Sequence, residues 1–151
     1  MAEVKSTQTT SVAAGSKLLP SVDGGRKRQF FAEYLAPAST QAVSDTIYLG
    51  DLPKGARICK DWVVSFSAGT ASCTIDVGFR SKAIGTVIDV DGIATAVAIT
   101  TAGQSGLNNG SSLTAGLSYV TTEVVEVYAT IRTAVLAASQ KLVIEGSYVQ
   151  D

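Results

Sequence analysis

TEVVEVYATIR (122–132) sets Val125, Val127, Ala129 and Ile131 at alternate positions, with Glu126, Tyr128, Thr130 and Arg132 between them. A period of two belongs to a strand with one buried face, not to a helix. KLVIEGSYV (141–149) repeats it, with Leu142, Ile144, Gly146 and Tyr148 against Lys141, Val143, Glu145 and Ser147. The intervening TAVLAASQ is short, so the spacing predicts that the two segments pair as an antiparallel hairpin.

Upstream the same alternation recurs between turn signals. RQFFAEYLA (28–36) is closed by Pro37, and DTIYLG (45–50) follows. RICKDWVVSF (57–66) puts Ile58, Trp62, Val64 and Phe66 on one face, with Lys60 as the exception. SCTIDVGFR (72–80) turns Cys73, Ile75, Val77 and Phe79 inward and Thr74, Asp76, Gly78 and Arg80 outward. AIGTVIDV (83–90) reads as another strand. Residues 91–116 mix small residues with two glycine-rich stretches, and are expected to form a long loop with one short helix near 93–99. Seven or eight strands spaced about ten residues apart predict an all-β fold, an antiparallel sandwich of jelly-roll type.

That sandwich is expected to be one domain spanning 29–151. Residues 1–28 show no sustained period and read as a flexible or extended arm. Val12, Leu18, Leu19 and Val22 are its docking candidates. The arm carries five basic and two acidic groups, whereas the chain as a whole has a net charge of −1. A basic arm on an acidic body suggests contact with something acidic. Arg26, Lys27 and Arg28 are the candidate contacts, the alternative being a solvated linker. Phe31 joins them, because Phe30 and Tyr34 share one parity and leave Phe31 on the other face.

YLGDLPKGARI (48–58) contains a definite corner. Leu52-Pro53-Lys54-Gly55 fits a type I turn with Pro53 second and Gly55 fourth, so both residues are read as structural.

Chemistry is sparse. The chain has no histidine, which removes the commonest general base and metal ligand. No phosphate-binding or dinucleotide fingerprint is present. Asp89 and Asp91, two apart before a glycine, are the weak candidates for a cation site, and they lack the further acidic ligands of a calcium loop. Trp62 sits among apolar neighbours and reads as core, whereas a sugar platform would need it exposed. If 58–66 and 73–80 paired as a hairpin, Cys59 would lie roughly 23 Å from Cys73, beyond the ~7 Å that a disulfide spans. Both cysteines are therefore expected to be reduced. No catalytic residue or cofactor is expected, nor direct nucleic-acid binding given the net charge. No apolar run nears the roughly 18 residues of a membrane span. MAEVKSTQTT lacks the apolar centre of a signal peptide, so synthesis in the cytoplasm is expected.

Three segments carry a resemblance: YLGDLPKGARICKDWVVSF, ASCTIDVGF and the terminal KLVIEGSYV. They resemble small virion structural proteins of tailed bacteriophages, the head decoration and related capsid proteins, over much of 45–149. The resemblance implies a non-catalytic virion protein, made in the host cytoplasm and multimeric on a capsid. The expectation is a decoration (cement) protein that bridges subunits of the major capsid protein and associates with its own copies, with a homotrimer favoured. Another virion part (head-fibre base, neck or tail) and a carbohydrate-binding jelly-roll module stay open as alternatives.

Overall fold

The computed structural model describes residues 6–17, 25–114 and 118–150. A short helix, α1 (Thr7–Ala13), is capped by Ser6, whose hydroxyl accepts the Thr9 N–H at 3.2 Å. Ten strands follow: β1 (Arg26–Leu35), β2 (Thr46–Leu52), β3 (Arg57–Ile58), β4 (Val63–Phe66), β5 (Thr74–Ser81), β6 (Val87–Ala98), β7 (Gly103–Gly106), β8 (Tyr119–Val120), β9 (Val125–Arg132) and β10 (Lys141–Gln150). The helical turn α2 (Ser111–Thr114) lies between β7 and β8.

All pairings are antiparallel and fall into two sheets. In the six-stranded sheet β10 is central. It holds β1 on one side, and β4 and β3 end to end on the other, while β7 and β8 flank β4 and β3. The second sheet has the order β2-β9-β5-β6. Taking β3 with β4, and β7 with β8, as interrupted strands leaves eight strand units. They pair first with eighth, second with seventh, third with sixth and fourth with fifth. This is a jelly roll, in which a long doubled-up ribbon is wound into two facing sheets. The expected fold class holds.

Neither the expected hairpin of 122–132 with 141–149 nor the conditional pairing of 58–66 with 73–80 forms. β4 and β5 lie in different sheets, and so do β9 and β10. Inward parity is satisfied equally by strands side by side in one sheet or face to face across a core. The connections 67–72 and 133–140 cross the sandwich instead of turning back. Gln140 ties that end together. Its side-chain amide donates to the carbonyls of Ile99 (2.8 Å) and Ser67 (3.1 Å). Among the described residues, β5 and β6 are the only consecutive strands that pair with each other.

The strand expected over 83–90 begins at Val87 and runs on through 91–98, where a loop and short helix were expected. β6 shifts register against β5 three times, and residues 90–93 bulge out between the Val77–Ala94 and Phe79–Asp89 pairs. Bulges scramble the period, and so hide a strand from periodicity. Gly78 permits the bulge, since a Cβ there would run into the backbone of Asp89 and Val90. A second irregularity at Ala96 (φ +50°) leaves its N–H to the Asp76 carboxylate, at 2.8 Å.

The stretch 57–66 is likewise two strands with a four-residue excursion, 59–62, opposite Gly146 and Ser147. Trp62 is fully buried, stacks on Phe30 (centroids 4.8 Å apart), and donates its indole N–H to the Ser147 carbonyl at 3.0 Å. It packs against Gly146, where a Cβ would collide with the ring. Cys59 lies in the excursion and Cys73 is buried before β5, and both are free thiols. Burial pushes the Cys73 thiol pKa up.

The corner after β2 is also a different turn from the one expected. The Ala56 N–H reaches the Pro53 carbonyl at 3.3 Å, and Gly55 has φ +83°. Gly55 is thus third in a turn over 53–56, the type II position that requires positive φ. The turn wraps Thr121, which is buried. The Thr121 hydroxyl donates to the Pro53 carbonyl (2.6 Å) and accepts the Ala56 N–H (2.9 Å), while its carbonyl accepts the Gly55 N–H (2.8 Å).

Two expected outcomes follow from these contacts. Thr121→Val keeps the shape but takes one hydrogen bond each from the Pro53 carbonyl and the Ala56 N–H, which keep their 3.3 Å contact with each other, and should cost about 1–2 kcal/mol. Urea titration should show a lower midpoint with an unchanged slope. Gly146→Ala overpacks the core against Trp62 and should cost about 1–3 kcal/mol or more, with a changed Trp62 emission. A variant as stable as the parent in either case would refute the corresponding contact.

Candidate interaction surface

β1 pairs with β10 over its full length without a register shift. Phe30 and Ala32 enter the core, and Tyr34 is half-buried against it. The other parity faces outward, with Phe31 59% and Leu35 64% exposed. Phe31 therefore points where its parity predicted. The basic cluster belongs to the strand and not to the arm, because β1 begins at Arg26. Alternation also divides the cluster. Lys27 shares the outer face with Phe31, whereas Arg26 and Arg28 have the inward parity yet remain exposed at the end of the sandwich. Val12 of the arm is exposed, and Leu18, Leu19 and Val22 lie outside the described residues.

Lys27 forms an ion pair with Asp61 at 2.7 Å. Asp61 also accepts the Ser147 hydroxyl on both oxygens (2.8 and 2.7 Å) and the Ser147 N–H at 3.2 Å. It thereby replaces a ladder partner that β10 loses at the excursion. A groove of about 390 Å³ runs between Lys27, Gln29, Asp61, Val63 and Glu145. Further along, Glu33 pairs with Lys141 at 2.9 Å. This outer face is a mixture of apolar side chains and half-exposed ion pairs.

A second exposed apolar group sits at the β5–β6 hairpin, with Ile84 76% exposed and Val87 and Val124 beside it. The sequence offered a weak signal in AIGTVIDV, whose large residues occupy both parities. Asp61 and Ser147 had none, since their contact joins residues 86 apart.

Asp89 and Asp91 do approach each other, and hydroxyls occupy them. Ser111 donates to Asp89 (2.7 Å) and Asp91 (3.1 Å), and Ser112 donates to Asp89. Burial pushes the Asp89 carboxyl up, but the hydrogen bonds of Ser112 and Ser111 outweigh it and hold the pKa below the usual range. The pair fastens α2 to the β6 bulge. No group of three or more metal-ligating side chains gathers among the described residues. Pro53 and Gly55 serve the corner described above. Buried Trp62 cannot be a sugar platform, which removes the feature on which the carbohydrate alternative rested.

No family model matches the chain, and no curated protein matches it. Solved structures do. A chain in the capsid of Ralstonia phage GP4 superposes with a TM-score of 0.65 at 18% identity, covering 84% of this chain and 86% of that one. A chain in the capsid asymmetric unit of cyanophage Pam1 gives 0.56 at 14% identity, again covering 84% and 86%.

Burial also pushes the Asp61 carboxyl up, and Lys27 and Ser147 more than reverse it, so its folded-state pKa is depressed. A depressed carboxylate stabilises the fold above the unfolded value of about 3.9, and loses that contribution as pH falls through the folded value. Asp61→Asn should therefore lower stability at pH 7 by about 1 kcal/mol or less, given its half-exposed, screened pair. The gap to the parent should close below about pH 4. Urea titrations from pH 7 to 2.5 check this; a gap independent of pH would refute it.

By superposition over 84% of its length, this chain shares its fold with a chain in each of these two bacteriophage capsids.

Proposed function

We propose that this chain is a non-enzymatic structural protein of a tailed-phage virion, a decoration (cement) protein on the outer surface of the head. The observation that carries the reading is the jelly roll shared over 84% of the chain with chains of two phage capsids. The surface chemistry supports it. Ion pairs occupy much of the small complement of charge, and the outer face of β1 leaves Phe31 and Leu35 uncovered.

In this reading the major capsid protein is the partner, and Arg26, Lys27, Arg28 and Phe31 make the contact. The arm extends it to a neighbouring subunit, and copies of the chain associate around a threefold. Many weak contacts then act together, so modest affinity per site suffices for full occupancy.

The test is cosedimentation of purified protein with heads that lack it. Saturable, salt-sensitive binding is expected. Arg26→Glu with Arg28→Glu should weaken it about tenfold or more, as a desolvated charge contact would. Deleting residues 1–24, which spares β1, should weaken binding while the sandwich still melts cooperatively. Absence of binding, or a label on the neck or tail of intact particles, would overturn the decoration role.

A further inference from the structure

The sandwich has four lateral edges, and three of them are irregular. β2 is broken by a register shift between Tyr48 and Gly50. β6 shifts three times. β7 and β8 are four and two residues long and separated by α2. β1 differs: ten residues, no bulge, no proline, and no strand partner except β10 among the described residues. A long, straight, unpaired edge is a template for another strand unless something blocks it.

Its charges run from basic to acidic. Arg26, Lys27 and Arg28 open the strand, and Glu33 lies near its end. Such a strand complements itself only when antiparallel, because a parallel copy would set the three cations side by side. We propose that β1 pairs antiparallel with β1 of a second copy about a twofold axis at Phe30, extending the six-stranded sheet through both molecules.

The register follows from parity and charge. Residues opposite each other share a face, so outward residues must meet outward residues. A slip of one would set the outer face of one sandwich beside the inner face of the other. Centring on Phe30 places Lys27 opposite Glu33 of the second copy, twice by symmetry, and Gln29 opposite Phe31. On the other face, Arg26 meets Tyr34. Centring on Phe31 would place Lys27 opposite Leu35, and centring on Gln29 would place it opposite Phe31, and neither forms an ion pair. Lys27 and Glu33 already have intramolecular partners, but their side chains are 64% and 48% exposed, which leaves room for a second. Phe31 and its symmetry mate become diagonal neighbours, covering apolar surface that is open in the single chain. The pairing stands independently of attachment to a shell. Within an assembly it would join copies from neighbouring oligomers.

Sedimentation equilibrium of the full chain between about 1 µM and 1 mM should show the mass of the smallest species doubling. Lys27→Glu and Glu33→Lys each set like charges opposite each other at two places, and each should weaken the doubling roughly tenfold. The double variant should restore it, since the two charges have changed places, and an equimolar mixture of the single variants should restore it as well. Far-UV dichroism and melting confirm that each variant is folded. As a second measurement, Lys27→Cys with Glu33→Cys in a Cys59→Ser background should oxidise to a covalent dimer on a non-reducing gel. No doubling, or doubling indifferent to the single variants, overturns the proposal. So does a failure of the double variant to restore, with no covalent dimer. That last pattern is the one expected if β1 takes an acidic strand from a different protein.

Discussion

The contact between Trp62 and the Gly146–Ser147 step organises this molecule. An indole buried in a core must lie against something thin and must find an acceptor for its N–H. Gly146 supplies the space and the Ser147 carbonyl supplies the acceptor, at 3.0 Å. To deliver the ring there, the chain departs from the ladder at 59–62 and splits one long strand into β3 and β4. The departure exposes backbone groups of β10, and the Asp61 carboxylate takes up the Ser147 N–H and hydroxyl. Asp61 in turn holds Lys27 on the outside. One packing requirement in the core thus positions the charged groups on the outer face of the six-stranded sheet.

Ion pairs line both outer faces of the sandwich. On the four-stranded sheet, Arg80 pairs with Glu126 and Arg132 with Asp76, both at 2.7 Å, and Lys82 pairs with Asp51. Arg80 also lies over the ring of buried Tyr128. Each of these partly exposed pairs is worth at most about 1 kcal/mol, and on the same face the Tyr128 hydroxyl and Thr130 Oγ1 are buried without a hydrogen-bond partner among the described residues. The six-stranded sheet keeps two pairs, Lys27–Asp61 and Glu33–Lys141, and shows Phe31 and Leu35 to solvent, while the four-stranded sheet shows Tyr48, Val87 and Ile88.

Much of the candidate surface was legible, because parity is local. Phe30 inward and Phe31 outward follow from their being adjacent in a strand, whatever the strand pairs with. The division of Arg26, Lys27 and Arg28 was not legible, since it depended on where β1 begins. The Asp89–Asp91 pair was found, but its occupation by Ser111 and Ser112 was not, because α2 returns to β6 from some twenty residues away. The corner at Pro53 and Gly55 was legible, but the turn spans 53–56 instead of 52–55 and is of type II. Its hydrogen bonds are decided by Thr121, which no local rule connects to it.

The amino-acid order determined which residues face the core along each regular strand, that the protein is built of strands, and that Pro53 and Gly55 make a corner. These follow from φ/ψ preferences and a two-residue period within a few positions of the chain. Tertiary structure decided which strand lies beside which, where strands break, and what closes each break. Those outcomes rest on contacts such as Ala56 with Thr121 and Trp62 with Ser147, 65 and 85 residues apart. The same inward parity serves a hairpin and a face-to-face pair equally. Only the joint packing of both sheets around Trp62, Phe79 and their neighbours separates the two.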